Sequence, residues 1–207
     1  MSRMLFFDLE TKFSAEEVGG WHHVMDMGMS VGVIWDTHDQ DFHVYLEHQV
    51  PALIAHLRKA DLIVGFNHVE FDLRVLAGHQ STPESRHRTY LELVTLPHFD
   101  MLTELKKLLG HRLKLDSLAR PTLQVGKSAD GLQALAWYKE GRLDLIIAYC
   151  KQDVEVTRRL YEHALQHGEL QYESRAGVKS VKVDWSAPAA SAAPKTAAAV
   201  EQMSLFE

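Results

Sequence analysis

The sequence predicts an α/β fold in which a mixed β-sheet is flanked by α-helices. Two observations point there. Short apolar runs of strand length recur up to residue 100, some separated by stretches of helical spacing. From residue 101 onward the texture turns helical, so strands come first and helices gather at the end. No internal repeat is present.

Residues 3–9 (RMLFFDL) form an apolar run short enough for a buried strand. Residues 30–35 (SVGVIW) and 41–47 (DFHVYLE) predict two more strands, and the turn-rich DTHDQ between them predicts a hairpin. Residues 51–60 open with Pro51 and place Leu53, Ile54 and Leu57 at helical spacing. DLIVGFN at 61–67 predicts a fourth strand, followed by a helix over 69–78. A fifth strand is predicted at 92–99 (ELVTLPHF), running into Asp100. Helices are then expected over TELKKLLG, SLARPTL and SADGLQALAWYKEG, and above all from Leu143 to Gly168. There Leu145, Ile146, Ala148, Tyr149, Val156, Leu160 and Ala164 recur at helical spacing, and Gly168 supplies the stop. A short β segment is predicted in 170–185, where VKSVKVDW alternates. The sequence thus divides into a domain at 1–185, a flexible Ala/Pro/Ser linker at 186–201 and an apolar end at 202–207.

Bulk composition narrows the function classes. With 207 residues, 46% hydrophobic and 24% charged, the chain has material for one core. Its one cysteine, Cys150, excludes an intramolecular disulfide framework and fits a reducing compartment. The N-terminus has neither a signal peptide nor a membrane span, so a cytoplasmic protein is expected. A net charge of −6 argues against sequence-independent grip on duplex DNA, which usually needs a basic surface. It does not argue against a nuclease, because bound cations offset clustered carboxylates. The 13 histidines are scattered without zinc-site spacing and are expected at the surface and in turns. GKSA at 126–129 lacks the earlier glycine of a phosphate-binding loop, and Ser128 fits a helix cap better.

The chemistry gathers on acids. Asp8 and Glu10 stand two apart on the first predicted strand, so strand alternation points both carboxylates to one face. Tyr149 and Asp153 stand four apart on the long helix and share a face of it. Asp72 follows a strand end within NHVEFD, where a turn into a helix could aim it inward. Each alone is weak, since an acid at a strand end is as often a solvated or capping group. Together they offer hard oxygen ligands from three distant segments, which suits Mg²⁺ or Mn²⁺ rather than zinc. Two such ions about 3.5–4 Å apart can activate a water and stabilise the leaving oxygen in phosphodiester hydrolysis. Tyr149, a protonated phenol near neutral pH, suits orienting that water rather than deprotonating it.

FDLET at 7–11, GFNHVEFD at 65–72 and YCKQD at 149–153 resemble the three exonuclease motifs of the DEDD superfamily, whose fold is ribonuclease H-like. The tyrosine four residues before the last aspartate is similar to the DEDDy branch, which includes the proofreading domains of family B DNA polymerases. The resemblance spans roughly residues 3–168 and implies a two-metal 3′–5′ exonuclease using two Mg²⁺ or Mn²⁺ ions. It implies that Asp8, Glu10, Asp72 and Asp153 ligate the metals and that Tyr149 orients the water. It also implies that Leu9, Thr11, Asn67 and Phe71 touch the substrate, single-stranded nucleic acid 3′ ends and DNA foremost. Lys114, Arg120, Lys127 and Ser128 are further possible contacts to the backbone of the strand.

At the end of the chain, Gln202, Met203, Ser204, Leu205 and Phe206 resemble the short motif with which bacterial proteins bind the sliding clamp, with Met203 the one departure. A Leu-Phe pair on a flexible tether can enter an apolar pocket while the glutamine hydrogen bonds at its edge. The implied setting is DNA repair or replication. Two alternatives stand beside it: an exonuclease of RNA 3′ ends, and a clamp-linked nucleic-acid-binding adaptor without catalysis.

Overall fold

The computed structural model describes residues 2–125 and 131–186. Lys127, Ser128 and Gln202–Phe206, with nearly all of the expected linker, lie outside the described residues. A five-stranded sheet forms the centre in the order β3-β2-β1-β4-β5. Its strands are β1 (Met4–Thr11), β2 (Met29–Asp36), β3 (Asp41–Leu46), β4 (Leu62–Gly65) and β5 (His98–Asp100). β1, β2 and β3 pair antiparallel, while β4 and β5 run parallel to β1. The sheet is therefore mixed and flanked by helices, the architecture that the sequence predicts.

The sheet has a core on each face, and β1 serves both. Leu5, Phe7 and Leu9 pack on one side against α1 (Val50–Leu57), α2 (Asp72–Ala77) and α3 (Pro83–Val94). Phe6 points the other way, toward α4 (Met101–Leu109), α5 (Leu115–Leu123) and α7 (Leu143–His167). Asp8 and Glu10 follow Phe6 by strand alternation and so face α7. That helix buries Ile146, Cys150, Val154, Leu160 and Tyr161, and the Tyr161 ring meets Phe6 edge-on at 5.8 Å. Each such large apolar side chain contributes about 1.5–3 kcal/mol on burial. β4 (LIVG) is buried throughout, as expected of a central parallel strand covered on both faces. α6 (Gly131–Lys139) packs beside α7.

Two sequence expectations change. The fifth strand is shorter than expected: α3 runs through Val94, and strand pairing is confined to His98–Asp100. Thr82 caps that helix through the Ser85 N–H and Pro83 starts it, so helix signals placed ten residues upstream outweigh the β-branched run. Nor are all histidines at the surface, because His56 and His68 are 5% and 0% exposed. His56 closes a network in which Asp36 accepts from Arg3 and His56, while the Tyr45 hydroxyl donates to His56 Nδ1 at 2.7 Å. The β segment expected in 170–185 appears as a separate hairpin, β6 (Glu169–Ser174) and β7 (Gly177–Lys182), with Val181, Val183 and Trp185 buried in alternation. No helix among the described residues is long and apolar enough to cross a membrane.

Candidate active site

β1 carries Asp8 and Glu10 to the end of the sheet where its pairing with β2 is irregular. Glu10 pairs with Val31 and Thr11 with Met29, so β2 bulges at Ser30, whose hydroxyl donates to the Glu10 carbonyl at 3.1 Å. Bulges of this kind bend a strand and re-aim the side chains beside it. α7 crosses the same face and brings Asp153 in. Donor oxygens of Asp8, Glu10 and Asp153 all lie within 4.8 Å of one another.

Asp72 stands behind this group rather than within it. It opens α2 and is 2% exposed, and its carboxylate accepts the Leu9 N–H at 3.0 Å. That bond ties it to the backbone between Asp8 and Glu10. Cys150, fully buried, donates its weak S–H to the Asp8 carbonyl at 3.5 Å and to Asp8 Oδ2 at 3.7 Å. The Trp137 ring lies 6.3 Å from that of Tyr149 at 70°, backing the phenol.

The electrostatics are those of crowded, partly desolvated acids. Burial pushes Asp8 well above the ordinary carboxylate range, and the charges of Asp72, Glu10 and Asp153 add to it. Burial and then Asp153 do the same to Glu10. Asp153 is pushed up to about 7, chiefly by burial, against a lowering hydrogen bond from Tyr149. Asp72 is pushed up to about 8 by burial, against backbone N–H donors including Leu9. Burial also raises the Tyr149 phenol well above its usual value, with help from Asp153, Glu10 and Asp8. The phenol therefore stays protonated and keeps a hydrogen to donate. The Cys150 thiol is held neutral in the same way, by burial and then by Asp8. A divalent cation among these oxygens would relieve both the repulsion and the desolvation. Three converging carboxylates, with no nitrogen ligand beside them among the described residues, fit Mg²⁺ or Mn²⁺ better than zinc.

The remaining sequence-predicted residues divide. The Leu9 side chain is buried in the opposite core, so only its backbone faces the acids. Thr11 donates its hydroxyl to the Phe13 carbonyl. Asn67 has φ +68° and accepts from Arg112 at 2.8 Å, while Phe71 lies 6.3 Å from Trp21. Lys114 is exposed and Arg120 lies 3.6 Å from Glu173. Sequence reasoning assigned no role to Asp100, which accepts the N–H groups of Asn67 at 3.0 Å and Val69 at 3.1 Å and caps α4 at Thr103. A cap signal at Asp100-x-x-Thr103 was present to find it. A second set of metal-type donors, Asp36, Asp39, His43 and His56, gathers at the β2–β3 turn. The Arg3 guanidinium already sits there as the cation.

Residues 5–165 match the sequence profile of the RNase_H superfamily. No curated protein matches the chain. Among solved structures, the family B DNA polymerase from the hyperthermophilic archaeon Pyrobaculum calidifontis is similar, at a TM-score of 0.57 and 15% sequence identity. The similarity covers 80% of this chain and 25% of the polymerase, so the chain spans a quarter of that protein's length. At that identity the likeness speaks to the fold. The profile match runs from β1 into α7 and takes in each of these acids and Tyr149: the chain belongs to the RNase_H superfamily.

Proposed function

We propose that the protein is a divalent-metal-dependent 3′–5′ exonuclease that removes nucleotides from single-stranded nucleic acid, DNA foremost. The observation that supports it most is the convergence of Asp8, Glu10 and Asp153 within 4.8 Å on the α7 face of β1. Asp8, Glu10 and Asp153 would hold two Mg²⁺ or Mn²⁺ ions, with Asp72 at their edge. The chemistry that such ions supply when bound is a more acidic water and a stabilised leaving oxygen.

The chain's own residues do the rest. Asp72 fixes the β1 backbone through the Leu9 N–H, which holds Asp8 and Glu10 in register. Tyr149, kept protonated by its surroundings, orients the attacking water by hydrogen bonding and does not remove its proton. Cys150 anchors Asp8 from behind. The 3′–5′ polarity rests on the motif resemblance. So does recruitment to a sliding clamp through Gln202–Phe206.

Incubation of a 5′-labelled single-stranded DNA with the protein and Mn²⁺ should give a ladder shortening from the 3′ end. Asp8→Ala and Asp153→Ala should abolish it, and Tyr149→Phe should leave measurable activity. Full activity in Asp153→Ala would overturn the reading, and a matched RNA reports the sugar preference. Deleting 202–207 should remove clamp binding and spare cleavage of naked DNA. Clamp binding that survives the deletion would refute that part.

A further inference from the structure

A cavity of about 450 Å³ has Trp21, Asn67, Glu70, Phe71, Arg74 and Arg112 in its wall. Its size lies within the roughly 300–1,000 Å³ of pockets that hold small-molecule ligands. Phe71 directly precedes Asp72, whose carboxylate is bound to β1 between Asp8 and Glu10, so one step of backbone joins the cavity wall to a residue of the acid group. We propose that this cleft seats a nucleotide of the single strand, with Trp21 stacking on its base and Arg112 holding a backbone phosphate. The proposal rests on the exonuclease reading and adds to it the residues that grip the strand.

Trp21 carries the first half. Its side chain is 71% exposed, while Trp185 is buried and Trp35 and Trp137 are half-buried. Leaving a large indole in water forgoes the gain of burying it, and nothing in the fold requires it there. Yet the backbone that carries the ring is closely seated. It opens a 3-10 turn over Trp21–Asp26, which lies so close to α2 that a Cβ on Gly78 would sit 1.8 Å from the Met25 carbonyl oxygen. The ring meets Phe71 at 6.3 Å and 59°, too close and too tilted for a base to slip between them. Its open surface is therefore the platform. A base in a duplex has both faces covered by its neighbours, so this platform selects an unpaired strand without reading its sequence.

Arg112 carries the second half. Its guanidinium donates to Asn67 Oδ1 at 2.8 Å and pairs with no carboxylate among the described residues. Asn67 is itself fixed in a left-handed conformation, its N–H held by Asp100. Arg74 across the cleft is matched to Glu70 at 3.0 Å. Arg112 is thus the uncompensated cation of this wall among the described residues, preset by one hydrogen bond with further donors free for phosphate oxygens. In a chain of net charge −6, such a local cation matters more than any general field.

The test uses two 5′-fluorescent oligonucleotides, one normal and one with abasic tetrahydrofuran units at its last two 3′ positions. Affinity is read by anisotropy in Ca²⁺ and cleavage in Mn²⁺, for the full chain and its variants. Trp21→Ala should weaken binding of the normal strand about tenfold and leave the abasic strand unchanged, while Trp21→Phe keeps most of the affinity. Arg112→Ala should weaken both strands equally and lower the salt slope of binding by about one, with Arg112→Lys restoring the slope. Equal loss on both strands in Trp21→Ala, or none, overturns the platform; an unchanged salt slope overturns the phosphate contact. A wild-type chain that shows the binding pattern but cleaves nothing overturns the exonuclease reading and keeps the cleft. Cleavage with indifferent Trp21 and Arg112 variants does the reverse.

Discussion

Asp72 and Asp153 are raised to about 8 and about 7, and both lie where folding removed water from a carboxylate that has no countercharge. An acid raised on folding favours the folded state below its unfolded pKa and loses that contribution as pH rises through the folded value. Metal-free protein should therefore lose stability between the ordinary carboxylate value of 3.8 and about 8. Bound Mn²⁺ should flatten or reverse the fall, since the ion favours the ionised form. Thermal unfolding midpoints across that pH range, in EDTA and in Mn²⁺, check this, and parallel curves would count against a metal site at these acids. Removing one charge should act likewise. Asp8→Asn should raise the midpoint of the metal-free protein at pH 8 by about 2–4 °C while abolishing cleavage, as about 1 kcal/mol shifts a chain of this size by that much. The acids are thus placed at a cost in stability that a bound cation would offset.

Among the elements, β5 is short but joins the loop of Asn67 and Phe71 to the scaffold. Its last residue, Asp100, accepts the N–H groups of Asn67 and Val69 and also caps α4. One carboxylate thus fixes the loop that carries Asn67 and Phe71 to a helix on the opposite side of the sheet. His68, buried in the same loop, hydrogen bonds to His98 at 3.0 Å, and His98 reaches the Leu93 carbonyl at 2.8 Å. Burial holds both imidazoles below their usual pKa, and the repulsion of a protonated His98 adds to this at His68. Asp100→Ala should cost about 3 kcal/mol, the sum of a lost cap and two stranded N–H donors. Because the loop loses its anchor, KM should rise more than kcat falls. Denaturant unfolding and steady-state kinetics check the two parts separately.

Across the whole molecule the two ends of β1 are electrostatic opposites. At the site end Asp8 and Glu10 face other acids. At the start of the strand Arg3 reaches the fully buried Asp36, which also accepts from His56 and from the His38 N–H at 2.8 Å. Burial opposes ionisation of Asp36, but these donors outweigh it and hold its pKa well below the ordinary range. Its stabilisation is therefore present above the unfolded carboxylate pKa and lost as pH falls through the lower folded value. Asp36→Ala should destabilise the fold by about 3 kcal/mol, leaving Arg3 without its partner, and kcat should stay within about twofold because the site is distant. Chemical denaturation with a cleavage assay on the same preparation checks this; a large fall in kcat would show that the ends of the sheet are coupled.

Local pattern determined much of this protein. The alternation in MLFFDLET settled which residues of β1 face each core, and with it the shared direction of Asp8 and Glu10. Helical spacing to Gly168, which takes φ +67°, settled α7 and the common face of Tyr149 and Asp153. Such features depend on neighbours in the chain, so a sequence displays them. The strand expected at 92–99 shortened to His98–Asp100 because LELV has both strand and helix character, and the cap at Thr82 and the packing of Leu93 decided between them. Only the tertiary structure decided that Asp72 stands behind the three closer acids, that Leu9 contributes its backbone, and that Trp21 meets Phe71 and Arg112 meets Asn67. Those pairs are 50 and 45 positions apart, and no periodicity links them. What brings them together is the close seating of the Trp21–Asp26 turn on α2 and the bonds that Asp100 makes to the Asn67 loop.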